Sequence, residues 1–305
     1  MARKARRKQR RRDASSNKYA VELDGVFAGW LADVAGASAS GGVETGPTGR
    51  RYSRRDELIC RAWPGLPRSF YAWVERSFGS PIAGSDGAIT LVDSEGRQLS
   101  RTLLEDVVVT SMTVPAVDEG SRERAKIELT LSPGGVRYSA NRARVLSAEA
   151  LAERVPTPAT DYRIEIDGLI EECSFISRVE PLTIAQTIDT RGDRGLARVG
   201  ELAATSLVLV LPQAKARGFF RWRDRVPLGR ATRRTATVTI GQPEVGFSVI
   251  LQDLRLLDVQ VRERLGPDID DGDELEQGEV LQRQRLDLRV EMAASAVGFC
   301  FLPGK

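Results

Sequence analysis

The sequence contains no histidine. That single absence removes Ser-His-Asp and Cys-His arrangements, the usual general base near neutral pH and the commonest zinc ligand. Cysteine is scarce: Cys60, Cys173 and Cys300 are widely spaced, odd in number and set among apolar neighbours, with no CxxC pair. They read as buried free thiols rather than as a zinc site or a redox motif. No apolar run approaches the ~20 residues that cross a bilayer, and the longest, Leu207 to Leu211, has the length of a buried strand. The basic N-terminus has no apolar segment behind its charges, so no secretory signal is expected; the expectation is cytoplasmic assembly without membrane insertion. No Walker or dinucleotide fingerprint occurs. The sequence thus offers no catalytic, cofactor-binding or metal-binding residue, and a protein that is not an enzyme and carries no cofactor is expected.

What is present is an ordinary globular composition, 41% hydrophobic and 29% charged over 305 residues, a length that favours two domains over one. The formal net charge is +3, and the excess sits in Arg3, Lys4, Arg6, Arg7, Lys8, Arg10, Arg11 and Arg12. Like charges repel and bury nothing, so residues 1–16 are expected to form a disordered basic arm, either gripping nucleic acid or an acidic surface or simply solvated.

Behind that arm lies a long internal repeat. Tyr19-Ala-Val-Glu-Leu-Asp-Gly25 returns as Tyr162-Arg-Ile-Glu-Ile-Asp-Gly168, a shift of 143 (162 − 19). Alternating apolar and polar residues leading into Asp-Gly predict a β-hairpin in each copy, with second arms Val26 to Val34 and Leu169 to Val179. Ser69-Phe-Tyr-Ala-Trp-Val-Glu-Arg76 aligns with Gly218-Phe-Phe-Arg-Trp-Arg-Asp-Arg225, each after an apolar strand and a proline: Leu58 to Trp63 with Pro64, Leu207 to Leu211 with Pro212. As helices, these segments put Phe70, Trp73 and Val74 on one face, and Phe219, Trp222 and Val226 on its counterpart.

Further strands are expected at Ala88 to Val92 and Ala236 to Ile240, then Leu104 to Val109 with Leu251 to Leu256, and last Ile127 to Leu131 with Leu286 to Val290. The order is the same in both halves. Ser147 to Val155 reads as a short helix capped by Ser147, followed by the stiff Pro156-Thr-Pro-Ala-Thr160. The expected organisation is therefore a basic arm (1–16), a first β domain (17–146), a linker (147–160) and a homologous second β domain (161–305). Its fold class is mainly β, sandwich- or barrel-like antiparallel sheets with one flanking helix per domain.

These landmarks together resemble the tail tube proteins of contractile phages and related contractile injection systems. The resemblance rests on the Tyr19 to Gly25 hairpin, a Gly-rich loop, a strand entering a Trp-containing helix, a hairpin around Asp93-Ser-Glu-Gly96, and the paired strands Leu104 to Val114 and Ala125 to Leu131. It covers nearly the whole chain after residue 16. It implies domains of two packed sheets with a flanking helix, closed as rings of six domains around a channel and stacked into a tube that passes DNA or protein cargo. It also implies sheath, baseplate or other tube proteins as partners. Two domains per chain and a basic arm depart from the family pattern. With two domains per chain, three chains close a pseudo-sixfold ring.

Loops Ala35 to Arg54 and Glu180 to Glu201 fall at the same point in each copy and are the expected contacts to a stacked ring. The acidic stretch Asp268 to Glu279 has the length of a calcium loop, but its glycine stands at the fifth place instead of the sixth, so it reads as a solvated loop. Ser132-Pro-Gly-Gly135 reads as a turn, not a phosphate cradle. Arg217, Arg221, Arg223 and Arg225 read as a solubilising helix face that in an assembly could meet Glu75 or Glu105 of a neighbour. The alternative to a tube subunit is a soluble two-domain β-sandwich that binds nucleic acid through its arm, as a monomer whose affinity falls steeply with salt.

Overall fold

The computed structural model describes residues 18–36, 43–45, 51–53, 57–79, 85–93, 95–118, 126–139, 162–189, 198–226, 233–240, 246–263 and 286–301. The arm, the segment 147–160 and the acidic stretch 268–279 lie outside these residues. The first half contains β1 (Lys18–Leu23), β2 (Val26–Leu31), β3 (Asp33–Gly36), β4 (Val43–Thr45), β5 (Arg51–Ser53), β6 (Leu58–Ala62), helix α1 (Arg68–Gly79), β7 (Ser85–Val92), β8 (Gln98–Val114), β9 (Val117–Asp118), β10 (Ile127–Ser132) and β11 (Gly135–Ser139). The second contains β12 (Tyr162–Ile166), helix α2 (Ile170–Cys173), β13 (Arg178–Val179), β14 (Leu182–Asp189), β15 (Arg198–Ala204), β16 (Leu207–Pro212), helix α3 (Arg217–Arg225), β17 (Arg234–Ile240), β18 (Phe247–Glu263), β19 (Leu286–Ala293) and β20 (Ala296–Phe301).

The fold is mainly antiparallel β with one substantial helix in each half, as the sequence pattern demands. Alternation does the sorting: β10 buries Ile127, Leu129 and Leu131 and turns Glu128 and Thr130 outward, and β17 buries Ala236, Val238 and Ile240 in the same rhythm. In α1, Phe70, Tyr71, Trp73, Val74, Ser77 and Phe78 form the buried stripe expected at helical spacing. In α3 only Gly218, Phe219 and Trp222 are buried, and Val226, expected on that face, is exposed just past the helix end.

The pairing order β1-β7-β8-β10-β6-β3 is matched, strand for strand, by β12-β17-β18-β19-β16-β13. Agreement extends to single residues. β8 and β18 are long strands that each pass from one sheet into a second, bending at Asp106 (φ 50°) and Asp253 (φ 53°), 147 positions apart (253 − 106). Aspartate is among the few residues besides glycine that tolerate this left-handed conformation. Just past each bend the ladder to the next strand skips one residue, Thr110 in β8 and Leu257 in β18, again 147 apart (257 − 110). Such bulges re-aim a strand, here from one layer to the next.

Before its bend β8 lies between β7 and β11; beyond it, between β10 and β14. β18 lies between β17 and β20 before the bend, and beyond it pairs with β19.

Four expectations need correction. The segment Leu169 to Val179 is not a second hairpin arm: Leu169, Cys173 and Ile176 are buried at helical spacing, and α2 lies against Gly218 of α3, where an added Cβ would come within 2.4 Å of Leu169 Cδ2. Within the loops expected at 35–54 and 180–201 the described residues include strands, the antiparallel pair β14–β15 in the second and the small pair β4–β5 in the first. Ile127 to Leu131 and Leu286 to Val290 are not the last strands; β11 and β20 follow them. Finally, their registers show that Leu129 corresponds to Val290, a shift of 161 (290 − 129) rather than 159, because both sit opposite equivalent residues, Met112 and Val259.

Candidate assembly interface

Buried apolar residues from both halves join in one continuous cluster, so the seam between the halves is itself core. It has a backbone component and an aromatic one. β14 of the second half adds to the first half's sheet, pairing Leu182, Thr183, Ile184 and Ala185 with Val114, Thr113, Met112 and Ser111 of β8. Leu182 and Ile184 are buried beneath it, and the Thr113 and Thr183 hydroxyls meet at 2.9 Å. A few residues on, β9 of the first half pairs with β13 of the second. Two sheets therefore meet at the seam: one runs β3-β6-β10-β8 and takes in β14, and the other runs from β9, which follows β8 in the chain, through β13, β16 and β19 to the far part of β18.

One buried side chain fastens the hairpin. Gln186, on β14, donates its amide to the carbonyls of Ser77, in the last turn of α1, and of Val109, beside the bulge. Ser77 Oγ in turn accepts the Val109 N–H at 2.9 Å. The backbone polar groups disturbed by the bulge are thus met by side chains of α1 and of the second half.

The aromatic component holds α1 against the second half's outer sheet. Tyr71 packs on Phe247 at 5.2 Å, Phe247 stacks on Phe299 at 5.3 Å, and Phe78 meets Phe299 edge-on at 5.9 Å. These separations lie in the favourable range for aromatic pairs.

The strands on both sides of the seam carry charged side chains that are paired with one another. Arg61 binds Glu128 at 2.7 Å and Asp33 at 3.0 Å, and Lys126 reaches Asp33 at 3.3 Å. Arg289 bridges Glu180 and Glu291. The hydrogen bond from Arg289 holds the Glu291 carboxyl below its usual range.

The residues singled out from sequence sort as follows. The arginines of α3 are exposed; Arg223 pairs with its neighbour Asp224 and Arg221 lies 3.9 Å from Glu172, while Glu105 is taken by Arg137 of its own half. Ser132 to Gly135 is a turn whose Gly134 N–H donates to Glu105 and Asp106 carbonyls at the bend of β8. The Asp93 turn closes β7 to β8, its carboxylate accepting the Glu95 and Arg97 N–H groups at 2.9 Å. Cys60 and Cys173 are buried thiols whose pKa values desolvation pushes up to about 12 and about 11. Among the described residues no cluster of His, Cys, Asp or Glu could hold a metal ion, and no helix is long and apolar enough to cross a membrane. A cleft of about 500 Å³ beside the seam is lined by Val117, Asp118, Tyr162, Ile164, Cys173 and Ile176, with the Tyr162 hydroxyl engaged by the Ile176 carbonyl.

The fold and the seam define a mainly-β protein in which two similar sheet assemblies are welded by strand addition. No family model and no curated relative matches the chain. Among solved structures, the sheath/tube terminator of an extracellular contractile injection system (PVC), in its extended state, is similar over 40% of this chain and 94% of its own, at 21% identity and a TM-score of 0.33.

Proposed function

We propose that the chain is a structural subunit of a phage-tail-like tube: a tandem duplication whose domains join side by side into rings that stack around a channel for DNA or protein cargo. Three chains close a pseudo-sixfold ring, and sheath, baseplate or other tube proteins meet its outer surfaces. In this reading the chain has no catalytic role.

The observation that carries the reading is the state of two equivalent strand edges. Beyond its bend, β8 is paired on both sides; the matching stretch of β18 is paired with β19 alone among the described residues. An open edge invites association unless it is blunted, and a closed ring of like domains satisfies every such edge with one repeated contact. The paired charges of Arg61, Glu128, Arg289 and Glu291 then face the channel, a polar wall with its charges already partnered.

Negative-stain electron microscopy of the purified chain, with its mass in solution, tests this. Rings or tubes with three chains per layer are expected. A monomer at every concentration, retaining DNA through residues 1–16 in a salt-sensitive way, would replace the tube by the binding module.

A further inference from the structure

We infer that the contact between chains is a copy of the seam within the chain, with the β4–β5 hairpin of one copy added to the edge of β18 in the next. The inference rests on the tube reading and supplies its interface.

Within the chain, the first half contributes a strand edge (β8, residues 111–114) and a helix (α1), and the second contributes a hairpin (β14–β15) and an aromatic-bearing strand (β20). Each of these four parts has a counterpart in the other half. By the coincident bend and bulge, residues 111–114 of β8 match 258–261 of β18. Val114 is 3% exposed beneath the added hairpin, whereas its match, Val261, is 46% exposed; Leu257, at the bulge, is exposed beside it. The hairpin occupying the chain position of β14–β15 in the first half is β4–β5, between β3 and β6 as the other lies between β13 and β16. It pairs only with itself among the described residues.

The aromatic part repeats the pattern. β11 and β20 lie at the same register on β8 and β18, so Tyr138 matches Phe299 and Val136 matches Val297. Phe299 is packed against Phe78 and Phe247, whereas Tyr138 is 63% exposed and Val136 is also exposed. On the other side α3 is the counterpart of α1, and there Val226 is exposed at the position matching Ser77 (226 − 149 = 77).

Of the eight large apolar side chains exposed among the described residues, five therefore belong to the two unmatched halves of one seam: Val136 and Tyr138 on the first half, Val226, Leu257 and Val261 on the second. Scattered exposed apolar residues need no explanation, but here Val261 and Val226 match the buried Val114 and Ser77, and Val136 and Tyr138 match Val297 and Phe299, which are partly buried against the core. The two surfaces differ, so the contact is head-to-tail, and each chain carries one of each. Strand addition fixes register through the backbone, and the flanking aromatic and aliphatic side chains add area that excludes water.

The test uses two full-length variants. Tyr138→Glu places a charge on the first-half surface; Val261→Lys with Leu257→Lys places charges on the second-half edge, the usual way an edge strand is blunted. All three positions are exposed within the chain, so each variant keeps the fold, which its circular dichroism spectrum and a cooperative thermal transition check. Each alone should sediment as a single chain. Mixed, they should form a complex of two chains through the one intact pair of surfaces, with amide exchange at residues 258–261 slowed in the partner that carries Tyr138→Glu. Assembly by either variant alone, or a mixture that stays monomeric, overturns the interface while rings of the parent chain would leave the tube reading standing. A parent chain that stays monomeric overturns both.

Discussion

Gln186→Ala is a focused test of how the halves are held together. The side chain is buried and donates to two carbonyls, Ser77 O on α1 and Val109 O at the bulge of β8. A hydrogen bond contributes ~0.5–1.5 kcal/mol net, and a buried acceptor left unmet costs ~1–3 kcal/mol. The Gln186 Oε1 atom is itself buried without a partner among the described residues, which already offsets part of the gain. The expected loss is about 2–3 kcal/mol, lowering Tm by roughly 3–5 °C for a chain of this length. Gln186→Met keeps most of the volume and removes the unmet oxygen, so it should lose about half as much. Urea unfolding followed by tryptophan fluorescence reports on both halves, because Trp73 and Trp222 are each 2% exposed, one on either side of the seam. A single transition in both is expected from the continuous core. A loss under ~0.5 kcal/mol for Gln186→Ala, or a methionine variant as stable as the parent, would refute the role given to these hydrogen bonds.

The remaining predictions are shorter. Glu22 is 3% exposed and gripped by both terminal nitrogens of Arg101, at 3.0 and 2.7 Å, so Arg101→Met strands a buried carboxylate and should cost ~3–5 kcal/mol by urea denaturation, whereas adding Glu22→Leu should recover much of it. Cys60 and Cys173, with pKa values raised to about 12 and about 11, should resist maleimide at pH 8 until the chain unfolds. Because folding raises both, their contribution is fully present below the unfolded thiol value of ~8.5 and is lost as pH climbs through the folded values, so stability should fall in that alkaline window and Cys60→Ala with Cys173→Ala should flatten it. Gly36 has φ 90° and a Cβ there would stand 2.2 Å from the Glu57 carbonyl oxygen, so Gly36→Ala should cost ~1–3 kcal/mol and expose the β3–β6 amides to exchange.

Much of this architecture is legible in the sequence, because alternation and helical spacing are local signals. The Trp73 and Trp222 helices and the strands around Leu129 and Val290 follow from period alone. What escaped depends on partners far along the chain. Leu182-Thr-Ile begins to alternate but continues Ala-Gln, with an apolar residue outward and a polar one inward, and its strand character shows only with its partner, β8, in the other half. Aligning Leu104 to Val109 with Leu251 to Leu256 already sets Asp106 against Asp253, but an aspartate in an apolar run carries no signal that the strand bends there. Gln186 was invisible for the same reason: a lone glutamine in a strand gains meaning from the helix end and the bulge it meets. Leu169 to Val179 misled in the opposite sense, since a shared Tyr-to-Gly motif ahead of it suggested a hairpin where its own spacing of Leu169, Cys173 and Ile176 favoured a helical turn.

The covalent link between the halves has a kinetic corollary. In the proposed ring, half of the junctions are intramolecular and form at an effective concentration fixed by the covalent link, whatever the amount of protein present. The other half depend on how many chains the cell has made. Supply then acts on alternate junctions only, and a ring assembled under scarcity stops at arcs of whole chains, never at an odd domain.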